Sequence, residues 1–206
     1  MQRTARWSGP LLALLAAIAL GQFVARQPPQ GPDQALLEAL SNGLSAPWRE
    51  LMIWVYRVTG KTIQPLLVSA VMAWLIRRAR WRDLALLVLS CGGIYVLVDL
   101  VLKPWFSRAR PAQALLSIDG SSFPSGHAAG AVVFSVVLAL IASNRQPSRR
   151  PLLLLMSAGW ISLVSLSALS VRAHWPSDIL GGWLVGVAGL GLSLAVLNQR
   201  HVGSRS

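Results

Sequence analysis

Three short segments of the chain combine residues that suit phosphate chemistry. Two of them place a histidine at the start of a long apolar run: Phe123 to His127 (FPSGH) and His174 to Asp178 (HWPSD). The third, Lys103 to Pro111, carries three cations just beyond the end of another apolar run. An oriented imidazole is a nucleophile for phosphorus, and cations stabilise charge on phosphate oxygens. The combination predicts phosphoryl transfer without a metal.

The spacing between His174 and Asp178 is the sharpest local signal after the serine-glycine-histidine turn. Four residues on a helix can bring the Asp178 carboxylate against one ring nitrogen of His174. The other nitrogen is then left unprotonated and directed at substrate. The alternative is that both residues only cap the last helix.

The segment before the fourth apolar run has the residues of a helix N-terminus. Ser125 is a plausible cap, and Gly126 permits close approach of a ligand to the backbone. Free N–H groups and the helix dipole make such a turn an anion site, with His127 beside the bound phosphate. The alternative for His127 is a polar cap without a catalytic role.

Lys103 and Arg110 are the cations expected to hold the phosphate. Lys103 supplies a point charge and Arg110 a bidentate fork, and Pro104 prevents one regular helix through the stretch. Asp99, four residues earlier, is expected to pair with Lys103 and position it. The alternative is that the cations meet anionic lipid headgroups at the membrane surface.

Composition places the chain in a membrane. Of its 206 residues 54% are hydrophobic and only 13% are charged, which is too apolar for an ordinary soluble domain. The net charge of +12 is spread between apolar runs, so it indicates membrane topology rather than binding of nucleic acid. The six apolar runs are approximately 9–25, 62–76, 84–102, 128–143, 151–169 and 179–197.

These runs predict an all-α, polytopic membrane protein with six transmembrane helices. Residues 27–61 mix apolar and polar residues at helical spacing, which predicts interfacial helices between the first two spans. Eleven of the nineteen Lys and Arg residues lie in the N-terminus, the turns 77–82 and 144–150, and the C-terminal tail. Those regions share one side, which the positive-inside rule makes cytoplasmic. The two histidine segments therefore face outward, whereas His201 lies in the cytoplasmic tail and is expected to be uninvolved.

Together the segments resemble the type 2 phosphatidic acid phosphatase (PAP2) superfamily, which includes membrane lipid phosphatases and soluble vanadium haloperoxidases. Its pattern is K-x6-R-P, then P-S-G-H, then S-R-x5-H-x3-D. Lys103 to Pro111 matches the first motif, Pro124 to His127 the second, and Ser167, His174 and Asp178 the third. The order of the motifs resembles the bacterial membrane branch and covers about residues 60–197 of a single domain, 1–206.

The resemblance implies a role for each motif residue. His174 would be the nucleophile, Asp178 would orient it, and His127 would be the general acid. Lys103, Arg110, Ser125 and the backbone at Gly126 would hold the phosphate, and water would hydrolyse the phosphohistidine. No metal or other cofactor is expected.

One motif position departs from the family. The arginine that the family places six residues before the histidine is Ala168 in this chain. Either Arg172 reaches the phosphate from another backbone position, or the site works with one arginine fewer.

The resemblance also implies a bacterial inner-membrane enzyme whose active site faces the periplasm or exterior. The expected substrate is a lipid phosphate or diphosphate held in the bilayer, with undecaprenyl diphosphate first. Phosphatidylglycerol phosphate or phosphatidic acid is the alternative, followed by a lipid phosphotransferase. A noncatalytic membrane scaffold or transporter subunit is the alternative from another class.

Overall fold

The structure, a computed structural model, describes residues 2–26, 31–42 and 45–203. It contains helices and no strand within those residues, which confirms the all-α prediction. The helices are α1 (Gln2–Ala25), α2 (Pro32–Ser41), α3 (Ala46–Val58), α4 (Ile63–Arg77), α5 (Trp81–Tyr95), a π-helical turn (Val96–Leu102), α6 (Lys103–Phe106), α7 (Gly126–Ser143), a 3-10 turn (Pro147–Arg149), α8 (Arg150–Ser170) and α9 (Pro176–Gly203).

Five helical stretches are long and apolar enough to cross a membrane, within the described part of the chain. A sixth span results if α3 and α4, which meet at a bend of 53°, are counted as one. The second predicted run was short because it covers only the α4 half of this bent span. When α3 and α4 are counted as one span, α3 belongs to the membrane-spanning part, and α2 is the interfacial helix of the predicted segment 27–61. Residues 27–30 and 43–44 of that segment lie outside the described residues.

Large apolar side chains cover the outside of the helices. Leu12, Leu66 and Leu155 are 65%, 65% and 69% exposed, and many other leucine and tryptophan side chains are exposed with them. Water would disfavour so extensive an apolar surface, whereas lipid hydrocarbon accommodates it. The chain is therefore a multi-pass membrane protein.

Glycines in α9 let that helix pack closely on α7. A Cβ atom added at Gly182 would lie 2.5 Å from the carbonyl oxygen of Ser125, and one at Gly186 would lie 2.8 Å from Cβ of Val132. Small residues four apart allow such close approach of membrane helices. The packing places the start of α9 beside the start of α7, and these are the ends that carry His174 and His127.

The arginine-rich turns lie at the opposite end of the bundle. Arg80, before α5, donates a hydrogen bond of 3.1 Å to the carbonyl oxygen of Ile141 near the end of α7. Arg82 donates one of 2.9 Å to Asn198 near the end of α9. The histidine segments precede the first turns of those two helices, so the basic turns and the histidines are separated by the length of the bundle.

Candidate active site

His174 lies in the loop between α8 and α9 and is 1% exposed. Its Nδ1 is 2.8 Å from the carbonyl oxygen of Ser122. A carbonyl only accepts, so Nδ1 carries the proton and donates it. The lone pair is then on Nε2, which lies 3.4 Å from Nη1 of Arg110. Burial lowers the pKa of His174, and the Asp178 carboxylate opposes that shift, so burial favours the neutral imidazole.

Asp178 is near the predicted ring nitrogen, but it is not the closest acceptor. Its Oδ2 lies 3.7 Å from Nδ1 of His174, whereas the Ser122 carbonyl lies at hydrogen-bond distance. Other donors occupy the carboxylate: the Trp175 N–H reaches Oδ2 at 2.8 Å and Arg108 reaches Oδ1 at 2.6 Å. Ser122 therefore fixes the tautomer of His174, and Asp178 adds a nearby negative charge.

Arg108 is a buried structural cation that sequence reasoning did not assign to the site. In addition to Asp178, its guanidinium contacts Asp33 at 2.8 Å and Ser177 at 2.7 Å. Asp33 also accepts a hydrogen bond of 2.9 Å from the Ser177 N–H. The network ties α2 to the first turn of α9. In the sequence, Asp33 could be noticed only as a charged residue in the first turn of a predicted interfacial helix. Its partner Ser177 lies 144 residues away in the chain.

Arg110 reaches His174 from the loop after α6. Its Nη1 donates to the carbonyl oxygen of Ala173 at 2.7 Å, and Nε and Nη2 donate to those of Gly120 and Ser121 at 3.1 and 3.2 Å. Burial lowers the pKa of Arg110, and Tyr56 has the largest opposing effect among its neighbours. A guanidinium stays charged in proteins, so these carbonyls hold a fixed positive charge beside His174.

Lys103 lies at the N-terminus of α7, held by Asp99. The predicted pair is confirmed, with Lys103 Nζ 2.7 Å from Asp99 Oδ1. A Cβ atom added at Gly126 would lie 3.4 Å from that Nζ, so the ammonium lies beside the first turn of α7. Lys61, from the bend between α3 and α4, also pairs with Asp99 at 3.0 Å. Sequence analysis missed Lys61, because a lysine in a polar connection carries no signal of its own.

Ser125 caps α7 as predicted. Its Oγ accepts a hydrogen bond of 3.3 Å from the Ala128 N–H. The Ser125 N–H donates to the carbonyl oxygen of Asp178 at 3.0 Å, which joins the starts of α7 and α9 directly.

His127 faces α3 with one ring nitrogen. Its Nε2 lies 3.1 Å from the carbonyl oxygen of Tyr56, so this nitrogen donates. The Tyr56 ring stacks on the imidazole with centroids 3.9 Å apart and an interplanar angle of 17°. Nδ1 of His127 has no hydrogen-bond partner among the described residues. The centroids of the His127 and His174 rings are 6.3 Å apart.

Arg172 is the predicted site residue that the structure separates from the others. Its Nε donates to Ser41 at 3.2 Å and its Nη1 to Gln113 at 2.9 Å, so the guanidinium joins α2 and the loop. Its backbone is left-handed, with φ 55°, which turns the side chain off the path of α8. These contacts favour the alternative in which Arg172 does not replace the missing arginine. Ala168 itself is fully buried.

A cavity of about 480 Å³ lies beside Lys103. Its lining includes Lys61, Asp99, Lys103, Arg108 and Asp119, whereas the two histidines are not part of that lining. Lys103 therefore lies between the cavity and the cluster around His127. A volume of this order is sufficient for a small polar ligand, and the lining carries three cations and two carboxylates.

The fold and this cluster define a polytopic helical membrane protein in which two histidines and several cations meet at one end of the bundle. The comparisons with known proteins agree: the family model described as PAP2 superfamily matches residues 83–201. The chain belongs to the PAP2 superfamily.

Two curated relatives support the assignment. The chain is 29% identical over 184 residues to phosphatidylglycerophosphatase B of Bacillus subtilis (strain 168), covering 86% of this chain and 89% of that protein. It is 30% identical over 152 residues to the putative undecaprenyl-diphosphatase YbjG of Escherichia coli (strain K12), covering 70% of this chain and 72% of that protein.

Two solved structures share the fold. The transmembrane PAP2-type phosphatidylglycerolphosphate phosphatase from Bacillus subtilis matches with a TM-score of 0.81 and 23% identity, over 92% of this chain and 96% of that one. Aquifex aeolicus LpxE matches with a TM-score of 0.65 and 20% identity, over 80% of this chain and 96% of that one.

Proposed function

We propose that this protein is a membrane lipid phosphatase that works through a phosphohistidine intermediate. One observation carries the proposal: Nε2 of the buried His174 is free of a proton and lies 3.4 Å from the Arg110 guanidinium. A phosphate that binds Arg110 is thereby brought next to a nucleophilic nitrogen. Such positioning is the main contribution a protein makes to phosphoryl transfer.

In the first step, Nε2 of His174 attacks phosphorus and the bond from phosphorus to the leaving oxygen breaks. His127 enters this step with both ring nitrogens protonated and gives the Nδ1 proton to that oxygen, since its Nε2–H is held by the Tyr56 carbonyl. In the second step, water transfers a proton to His127 and attacks phosphorus. The N–P bond then breaks, inorganic phosphate leaves, and both histidines return to their starting state.

The cations and the start of α7 hold the phosphate through these steps. Lys103 and Arg110 supply positive charge, and the N–H groups at the Ser125–Gly126 turn supply donors at the helix N-terminus. Together they stabilise the equatorial oxygens of the transition state. Because these groups supply the positive charge, the reaction is proposed to need no metal.

Undecaprenyl diphosphate is the first proposed substrate, and its hydrolysis would yield the lipid monophosphate and inorganic phosphate. The name of the Escherichia coli relative supports this choice. The name of the Bacillus subtilis relative, which is similar over more of the chain, favours phosphatidylglycerol phosphate as the second candidate. Because the arginine-rich turns lie at the other end of the bundle, we propose that the site faces the periplasm or exterior of a bacterial inner membrane.

Phosphate release by the purified protein tests the proposal. The panel contains undecaprenyl diphosphate, phosphatidylglycerol phosphate, phosphatidic acid and a water-soluble phosphate ester, each with and without chelator. We expect turnover of a lipid that survives chelation and is lost in His174→Ala, with His201→Ala as the matched control. Phosphate release by His174→Ala at the wild-type rate would exclude the phosphohistidine route. Inactivity on the whole panel would favour a noncatalytic role.

A further inference from the structure

We propose that the hydroxyl of Tyr56 is a further phosphate-contacting donor and takes the place of the arginine that this chain lacks at Ala168. The inference rests on the proposed phosphatase function. Three observations on Tyr56 carry it: its contacts with His127, its hydroxyl without a hydrogen bond to another described residue, and its place in one buried cluster with Ala168.

Tyr56 is built into the site at its backbone and at its ring. The carbonyl oxygen accepts from Nε2 of His127 at 3.1 Å, and the ring stacks on the same imidazole. The residue is only 6% exposed. Arg110, which contacts His174, is close enough to the Tyr56 side chain for the two groups to interact electrostatically. The phenol therefore lies against the proposed general acid and within electrostatic range of the proposed phosphate-binding arginine.

The Tyr56 hydroxyl makes no hydrogen bond to another residue within the described part of the chain, where the side-chain hydrogen bonds to this residue go to its carbonyl oxygen, which also accepts from Thr59 at 3.3 Å. The residue as a whole is buried, but its hydroxyl is not among the buried polar atoms without a partner, of which Ser90 Oγ is the one found in the described residues. The hydroxyl therefore reaches space that a ligand can enter. An open donor beside His127 is suited to an anionic ligand oxygen.

Ala168 and Tyr56 belong to one cluster of buried residues, and Ala168 is fully buried in it. An arginine side chain at position 168 would enter that cluster, whereas alanine offers no donor. A phenol from the same cluster can supply one donor to a phosphate oxygen, without the positive charge.

Tyr56→Phe tests the inference, because phenylalanine keeps the stacked ring and removes only the hydroxyl. We expect kcat to fall by about 10²-fold, the scale of losing one donor to a transition-state oxyanion. Inhibition by vanadate, which mimics pentacoordinate phosphorus, should weaken by at least about tenfold, the scale of one hydrogen bond to a charged group. The melting temperature should stay unchanged. Tyr95→Phe is the control, since Tyr95 is 56% exposed on α5.

The remaining outcomes overturn the inference. Tyr56→Phe with activity within threefold of wild type would show that the hydroxyl does not contact the phosphate. A lower kcat with unchanged vanadate inhibition would assign the effect to His127, and a lowered melting temperature would assign it to folding. His174→Ala, measured in parallel, separates the two proposals: if it is inactive while Tyr56→Phe is fully active, only the inference on Tyr56 fails.

Discussion

Arg110 and His174 are joined by a contact of 3.4 Å between Nη1 and Nε2. Nη1 carries two hydrogens, so it can donate one to the Ala173 carbonyl at 2.7 Å and direct the other to Nε2 across the longer contact. A contact of that length is weak, so a phosphate that binds Arg110 can replace it while the positive charge stays beside Nε2.

Replacing Arg110 by lysine should distinguish the effect of its positive charge from the effect of its planar guanidinium geometry. Lysine keeps the charge but cannot bond several carbonyls and a phosphate in one plane. We expect Arg110→Lys to cost about 2–4 kcal/mol in transition-state stabilisation, falling mainly on kcat. Steady-state kinetics on the preferred lipid measures this loss. Arg110→Lys at wild-type kcat would mean that a point charge is sufficient.

Arg172→Ala is expected to have little effect on the chemistry. Its guanidinium contacts Ser41 and Gln113, so removing the side chain should weaken the packing of α2 against the loop. We expect kcat/KM to change by less than about threefold, which is below 1 kcal/mol. A decrease of about 10²-fold would restore the alternative in which Arg172 replaces the missing arginine.

The acidic limb of the pH profile should report on His174. Burial lowers its pKa below the ordinary value of about 6.5, and the nucleophile is the neutral form. Activity is therefore present above the lowered pKa and is lost as pH falls through it, so the plateau of kcat/KM should extend below pH ~6.5. The profile should be measured with two substrates whose phosphate groups have different pKa values. A decrease caused by His174 occurs at the same pH with both substrates, whereas one caused by the substrate moves with the substrate pKa.

Gly126→Ala should disturb the phosphate site without unfolding the protein. The added methyl would lie 3.4 Å from Nζ of Lys103 and 3.9 Å from Oδ2 of Asp99, so it fits in van der Waals contact and would occupy space beside the ammonium where a phosphate oxygen is proposed to bind. We expect weaker vanadate inhibition and a rate lower by about tenfold, or ~1.4 kcal/mol. Gly159→Ala on α8, where an added Cβ meets nothing within 4 Å, is the control and should retain activity.

Reporter fusions test the orientation of the bundle. Fusions at about residues 80, 115 and 147 should read cytoplasmic, external and cytoplasmic, because the arginine-rich turns are expected to stay inside. A cytoplasmic signal at residue 115 would place the active site on the inner side of the membrane.

The sequence by itself determined the short-range relationships between residues. The apolar runs predicted the spans, because a membrane helix must satisfy its backbone internally and bury a continuous apolar stretch. The cap at Ser125 and the pair of Asp99 with Lys103 were also predictable, since helical geometry alone brings residues three or four apart together. The motif spacing identified the family.

Only the tertiary structure decided which groups hold the nucleophile and which cations reach the site. The Ser122 carbonyl orients His174 across 52 residues, and Tyr56 meets His127 across 71. Arg172 lies two residues from His174 in sequence but turns away, whereas Lys61 reaches Asp99 from another helix connection. Loop conformation and helix packing set these contacts, and neither is encoded in the spacing of residues along one helix.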